Sequence, residues 1–257
     1  MKPKISIITI TYNSEKTLEE TIKSIANQNY DNIEYLIVDG GSTDATLDIV
    51  KKYESAVTKY ISEKDDGISD AFNKGIRMAT GDIIGIINSD DMLYEGALKK
   101  LSDNYSPEID VFYGNALICD ENGMEKHVLN SCESLSDLTY GFSIVHPATF
   151  VAKKAYEKYG LFDKNLRCCM DYDLLLRFYK AKATFKYIDE NLAIYRMGGT
   201  NQKLRKITIN ESCYISIRHG GSKIKANAIK YKKIIFDIIR PLAHKMGIHN
   251  KRVENLN

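Results

Sequence analysis

Four short clusters along the chain carry residue types that can do chemistry: Thr11-Tyr-Asn13, Asp39-Gly-Gly-Ser-Thr-Asp44, Glu63-Lys-Asp-Asp-Gly67 and Asn88-Ser-Asp-Asp91. A fifth, Asp171-Tyr-Asp173, lies well downstream. Desolvated neighbouring carboxylates raise each other's pKa, so Asp90 and Asp91 call for positive charge. Mg2+ or Mn2+ would supply it, taking one or two carboxylates and completing its shell with phosphate oxygens and water. The plain alternative is an exposed Asp-Asp turn. Asp39 before Gly40 and Gly41 sets an acceptor beside backbone that a base or ribose can approach closely; the alternative is an Asp-Gly turn feeding a Ser42 or Thr43 helix cap. Asp171 and Asp173 open a helical pattern, where carboxylates ordinarily complement the helix dipole.

Other chemistries are excluded. There is no Walker A sequence, and no Gly-x-Gly-x-x-Gly follows the first strand, so neither a P-loop NTPase nor a dinucleotide binder of the usual kind fits. The five cysteines (Cys119, Cys132, Cys168, Cys169, Cys213) are odd in number and lack Cys-x-x-Cys spacing. Free thiols are expected, and no zinc site.

The elements that must position these clusters follow from periodicity. Short β-branched runs alternate with helical patterns from residue 4 to about residue 95, as in βαβ units on a parallel sheet. Strands are expected at Lys4 to Ile10, Glu34 to Val38, Lys59 to Ser62 and Asp82 to Ile87. Asn13 or Ser14 caps the first intervening helix, and Gly81 ends the third. All four strands run into polar or acidic groups at their carboxyl ends, where open parallel sheets bind ligands. Four such ends argue for one site. Downstream, strands are expected near Val111 to Tyr113, Ile144 to Val151, Phe185 to Ile188 and Ala193 to Arg196, with helices at Lys153 to Tyr159 and Asp171 to Lys180.

The 257 residues, 44% apolar and 27% charged, have the composition of an ordinary globular protein. The longest apolar stretch, Asp82 to Asn88, is far short of the roughly 18 residues of a membrane span. The N-terminus lacks a signal-peptide pattern, so a cytoplasmic location is expected. Charge is uneven. Residues 202–257 carry 13 Lys and Arg against 3 Asp and Glu, whereas residues 1–201 carry 23 against 31. Residues 222–247 read as a basic amphipathic helix, suited either to an anionic bilayer on the inner face of the cytoplasmic membrane or to packing on the body through Ile229, Ile234, Ile235 and Ile238. No nucleic-acid motif accompanies that charge.

Taken in order, Ile7-Ile-Thr-Ile-Thr-Tyr-Asn13, Ile37-Val-Asp-Gly-Gly-Ser-Thr-Asp44, Ser62-Glu-Lys-Asp-Asp-Gly-Ile-Ser-Asp-Ala-Phe-Asn-Lys-Gly75, Thr80-Gly-Asp82, Asn88-Ser-Asp-Asp91, Tyr159-Gly-Leu-Phe-Asp163 and Asp171-Tyr-Asp173 resemble the family 2 glycosyltransferases, in particular the bacterial polysaccharide-building branch. The resemblance implies a GT-A fold, α/β with a Rossmann-like, mostly parallel central sheet flanked by helices, here with a helical C-terminal extension. It implies a donor subdomain over 1–115, an acceptor subdomain over 116–200 and the basic extension over 201–257. The implied reaction is inverting transfer from a nucleoside diphosphate sugar, a uridine nucleotide first with dTDP or GDP open, to a hydroxyl of a lipid-linked saccharide such as a growing O-antigen or capsule chain.

Residue by residue, the resemblance puts Asp39 on the nucleotide base, and Thr11, Tyr12, Asn13 and Gly40 around base and ribose. Asp66 would lie near base or ribose, and Asp90 near ribose or sugar. Asp91 would be the direct Mn2+ or Mg2+ ligand and Asp171 the catalytic base, with Asp173 structural. His146 would touch acceptor or diphosphate, or be a structural histidine. Arg196, with Gly198 and Gly199, would border the diphosphate, or form a plain turn. The competing class is a non-catalytic nucleotide-sugar or metal-binding regulatory module.

Overall fold

The structure is a computed structural model that describes residues 2–120, 125–197 and 204–245. Its first half follows the expected alternation. β1 (Ile5–Thr11), β2 (Ile33–Asp39), β3 (Lys59–Ser62) and β4 (Ile83–Ile86) pair in parallel in the order β3-β2-β1-β4. Helices α1 (Leu18–Ala26), α2 (Thr46–Lys52) and α3 (Ile68–Met78) make the crossovers.

Beyond β4 the sheet becomes mixed. β8 (Thr149–Ala152) runs antiparallel to β4, and β6 (Val111–Cys119) runs antiparallel to β8. β9 (Phe185–Arg196) lies parallel to β6, and the short β5 (Met92–Leu93) closes the edge against β9. β7 (Glu125–Leu129) forms a hairpin with β6. β6 passes through residue 115 as one continuous strand, so both halves share a sheet.

Side-chain alternation along the strands splits the core between the two faces of the sheet. Ile8, Leu36, Val38 and Ile84 pack under α3 and α6 (Met170–Lys180). Ile5, Ile7, Ile37 and Ile83 pack on the other face with α1 and α4 (Ala97–Asp103). α5 (Lys153–Tyr159) follows β8.

Several local expectations need correcting. Neither Asn13 nor Ser14 caps α1 by side chain; the N-cap is Thr17, and the Ser14 carbonyl accepts the N–H groups of Thr17 and Leu18. α3 ends at Ala79 rather than at Gly81. A Cβ at Gly81 would sit 2.6 Å from Ser6 Oγ and 2.7 Å from the Lys4 carbonyl, so this glycine permits a close backbone approach. The run Ile144 to Val151 is half turn, with a 3-10 turn at His146–Ala148 before β8. The two strands expected near 185–196 are one, with register shifts opposite Tyr113 and Asn115.

The C-terminal segment forms α7 (Arg205–Arg218) and α8 (Lys223–Lys245). α7 packs on the body, burying Ile209 and Ile215, and α8 packs on α7 with Ala226 buried. No described helix is long and apolar enough to cross a membrane.

Candidate active site

The carboxyl ends of β1, β2 and β4, the 3-10 turn before β8 and the first turn of α6 border one cavity of about 950 Å³. Thr11, Tyr12, Asn13, Gly40, Asp90, Asp91, His146 and Asp171 all line it. Clusters separated by up to 160 residues of sequence are thus brought together, as the placement of strand ends required.

At the β1 end, the Thr11 hydroxyl is buried and has no hydrogen-bond partner among the described residues. The Tyr12 ring beside it is 63% exposed and open for stacking. Asn13 sits in the left-handed region at φ 50, which Asn tolerates, and staples two loops. Its N–H donates to Ser42 Oγ at 2.8 Å, and its Oδ1 accepts the Thr43 N–H at 2.9 Å.

Asp39 and Asp66 are placed differently from the expectation. The Asp39 carboxylate is fully buried and accepts the N–H groups of Gly41 and Ser42 and the hydroxyls of Ser42 and Ser62, all within 3.1 Å. It braces the Gly40-Gly41 turn from beneath instead of facing the cavity; Gly40 itself forms the wall. The Asp66 side chain points to solvent at 86% exposure, with Lys164 at 3.9 Å. Its neighbour Asp65 is the residue on the cavity wall, held by Lys74 Nζ at 2.7 Å. Sequence reasoning missed Asp65; the signal was Lys74 on α3, a cation within reach of the acidic loop, which it ties to the helix through Glu63 at 2.9 Å and Asp65 at 2.7 Å.

At the β4 end, Asp91 is buried, and burial with the adjacent Asp90 charge pushes its carboxyl well above the usual range. Asn88 Nδ2 donates to Oδ2 at 3.2 Å, and the Arg196 N–H donates to Oδ1 at 3.1 Å. Arg196 corrects another expectation. It is buried behind the acidic loop, donates through Nε to the Asp90 carbonyl at 3.2 Å and pairs with Glu20. It does not line the cavity. Gly198 and Gly199 lie outside the described residues.

On the facing wall, His146 stacks on Phe72 with ring centroids 5.6 Å apart. Burial lowers the imidazole pKa, partly offset by the Asp171 charge. Asp171, in the first turn of α6, accepts the Tyr172 N–H at 2.7 Å, and burial raises its carboxyl above its ordinary value. A cavity-lining carboxyl with a raised pKa is matched to taking up a proton. Asp173 points elsewhere: it is buried, with His219 Nε2 at 2.8 Å and Arg218 at 3.6 Å.

The cavity's donor set suits a hard cation. Asp90 and Asp91 offer oxygen only, and among the described residues no third His, Cys, Asp or Glu joins them in a metal-binding group. That matches Mg2+ or Mn2+, which keeps much of its shell for phosphate and water. All five cysteines are free thiols.

Comparison with known proteins agrees with this architecture. The model of "Glycosyl transferase family 2" matches residues 6–185. The chain is 29% identical over 265 residues to the putative glycosyltransferase EpsE of Bacillus subtilis, covering 98% of this chain and 95% of that protein. It is 27% identical to the chondroitin synthase of Escherichia coli over 90% of its own length, but spans only 34% of that protein, and 63% of an uncharacterized glycosyltransferase of Rickettsia prowazekii. Among solved structures, S. aureus TarS 1-349 in complex with UDP-GlcNAc superposes with a TM-score of 0.65 at 20% identity, covering 88% of this chain and 70% of that one. The mannosyltransferase PcManGT from Pyrobaculum calidifontis, in complex with GDP-Man and Mn2+, gives 0.67 at 17% identity, covering 91% and 69%. The fold is that of the GT-A glycosyltransferases.

Proposed function

The chain belongs to glycosyl transferase family 2, and on that premise we propose that it transfers a glycosyl group, with inversion, from a nucleoside diphosphate sugar to a saccharide hydroxyl. The observation that carries this reading is the convergence of Asp90, Asp91 and Asp171 on one cavity. Tyr12 and Thr11 receive the base and ribose, with Asn13, Gly40 and Asp65 shaping that end. Asp39 acts through the turn it braces. Asp91, with Asp90, would hold Mn2+ or Mg2+, whose charge stabilises the departing diphosphate.

Asp171 accepts the proton of the acceptor hydroxyl while that oxygen bonds to the anomeric carbon, on the face opposite the breaking bond to the diphosphate. Its raised pKa keeps it basic enough for the task. His146, stacked on Phe72 beside it, borders the acceptor. On this reading, residues 1–115 form the donor half and residues 116–200 the acceptor half.

The donor we propose first is a UDP-hexose or UDP-N-acetylhexosamine, and the acceptor a lipid-linked surface polysaccharide. α8 supports the latter: Ile224, Tyr231, Ile235 and Ile238 are exposed along a helix rich in lysine. Such a face suits the anionic inner surface of the cytoplasmic membrane. The test is release of nucleoside diphosphate from a panel of UDP-, dTDP- and GDP-sugars with Mn2+. Turnover of one of them, lowered at least about a hundredfold in Asp171→Asn, supports the reading; no turnover of any overturns it.

A further inference from the structure

Helix α6 starts without a cap of its own: Cys169 occupies the N-cap position and makes no side-chain bond to the first turn. The backbone donors ahead of that turn are met from elsewhere. Glu211, on α7, accepts the Arg167 N–H at Oε1 and the N–H groups of Cys168 and Cys169 at Oε2, each at 2.9 Å. One turn before Glu211 and one residue after it, the Thr208 carbonyl and the Ser212 hydroxyl both meet Cys169 Sγ at 3.4 Å. At the far end of α7, Arg218 reaches Asp163 at 2.6 Å and His219 reaches Asp173.

We propose that Glu211 is a positioning residue for the transfer, capping the start of α6 from outside and fixing the backbone that presents Asp171 to the cavity. This rests on the reading of Asp171 as proton acceptor. Three donors converging on one carboxylate are more than a surface contact supplies, and charge-assisted bonds to backbone N–H groups are the stronger kind. The Asp171 carboxyl is tied to its own turn through the Tyr172 N–H, so its aim follows that turn. Arg167 and Cys168 of the same strap also line the cavity. Catalysis is steep in such placement, since a shift of about 1 Å can cost on the order of a hundredfold in rate. The Glu211 charge also faces Asp171, alongside His146 and the thiols of Cys168 and Cys169.

The test compares Glu211→Gln and Glu211→Ala with Arg205→Gln, which breaks the α7–α8 ion pair to Asp237 without touching the strap. Backbone hydrogen exchange of residues 167–172 should speed up at least tenfold in Glu211→Ala and stay unchanged in Arg205→Gln. Carbon-13 titration of the Asp171 carboxyl should move to lower pH in Glu211→Gln, because a facing negative charge is gone. In whichever donor-turnover assay Asp171→Asn impairs, Glu211→Ala should lose at least tenfold in kcat with UDP affinity unchanged. Unchanged exchange and an unmoved Asp171 titration in Glu211→Gln would overturn the proposal, and that variant carries the test if Glu211→Ala fails to fold. Neither readout needs turnover, so an Asp171→Asn that keeps wild-type turnover would defeat the proton-acceptor reading separately.

Discussion

Asp91 and Arg196 are joined across 105 residues of sequence: the Arg196 N–H donates to Asp91 Oδ1 at 3.1 Å. The Arg196 guanidinium turns the other way, to the Asp90 carbonyl and to Glu20. β9 thereby holds the acidic loop after β4 from behind, and the arginine acts on the cavity through the shape of that loop.

Arg196→Ala should therefore weaken Mn2+-dependent UDP binding about tenfold, equivalent to ~1.4 kcal/mol. Glu20→Gln should reproduce part of the loss, and the double variant should lose less than the sum. Calorimetry on this double-mutant cycle checks it. Additive losses would place the guanidinium on the ligand instead.

Asp171→Asn should lower turnover by about 10²–10⁴-fold, the usual worth of a positioned acid-base group, with UDP affinity preserved. The acid limb of kcat in the wild type should lie above the ordinary Asp value, because burial raises this group. Stability should respond in the opposite sense to activity. A carboxyl whose folded pKa exceeds its unfolded value, near 3.9 for Asp, costs stability as pH rises through that window. Asn carries no such cost, so the variant's Tm should exceed the wild type's at pH 7.5 and the gap should close below pH 4. Thermal melts across pH decide this.

Asp65→Ala and Asp66→Ala should separate cleanly. The first removes a cavity-wall carboxylate and the partner of Lys74, and should weaken UDP binding severalfold. The second removes an exposed side chain and should leave binding unchanged. Isothermal titration of the two variants is sufficient, and a larger loss in Asp66→Ala would contradict the assignment.

This last pair shows where the site was legible in the sequence and where it was not. Strand ends are set by β-branched runs, so the convergence of Thr11, Asp90 and Asp91 followed from the pattern alone. Asp171 joined them through the ordered motifs. Periodicity is silent about which way a loop residue points: the resemblance puts Asp39 and Asp66 near base and ribose, while the Asp39 carboxylate is sealed beneath its turn and Asp66 faces solvent. Contacts between distant segments leave no local trace either. Arg196 gave no sign that it would stand behind Asp91, and Glu211 lay in a segment whose net charge suggested a separate basic tail.

Gly81→Ala should destabilise the fold by about 1–3 kcal/mol, since the new methyl meets the Ser6 and Lys4 backbone within 2.8 Å. Gly141→Ala, where an added Cβ would meet nothing within 4 Å, should change stability by less than about 0.5 kcal/mol. Urea denaturation of both variants checks the contrast.

The acidic loop after β4 is expected to hold a nucleoside diphosphate through a divalent cation. Calorimetric titration of UDP, dTDP and GDP into the protein with and without Mn2+, repeated on Asp91→Ala, tests it most directly. One nucleotide should bind, with binding that requires Mn2+ and is lost in the variant. Absence of binding with Mn2+ present, or equal binding by Asp91→Ala, would contradict it.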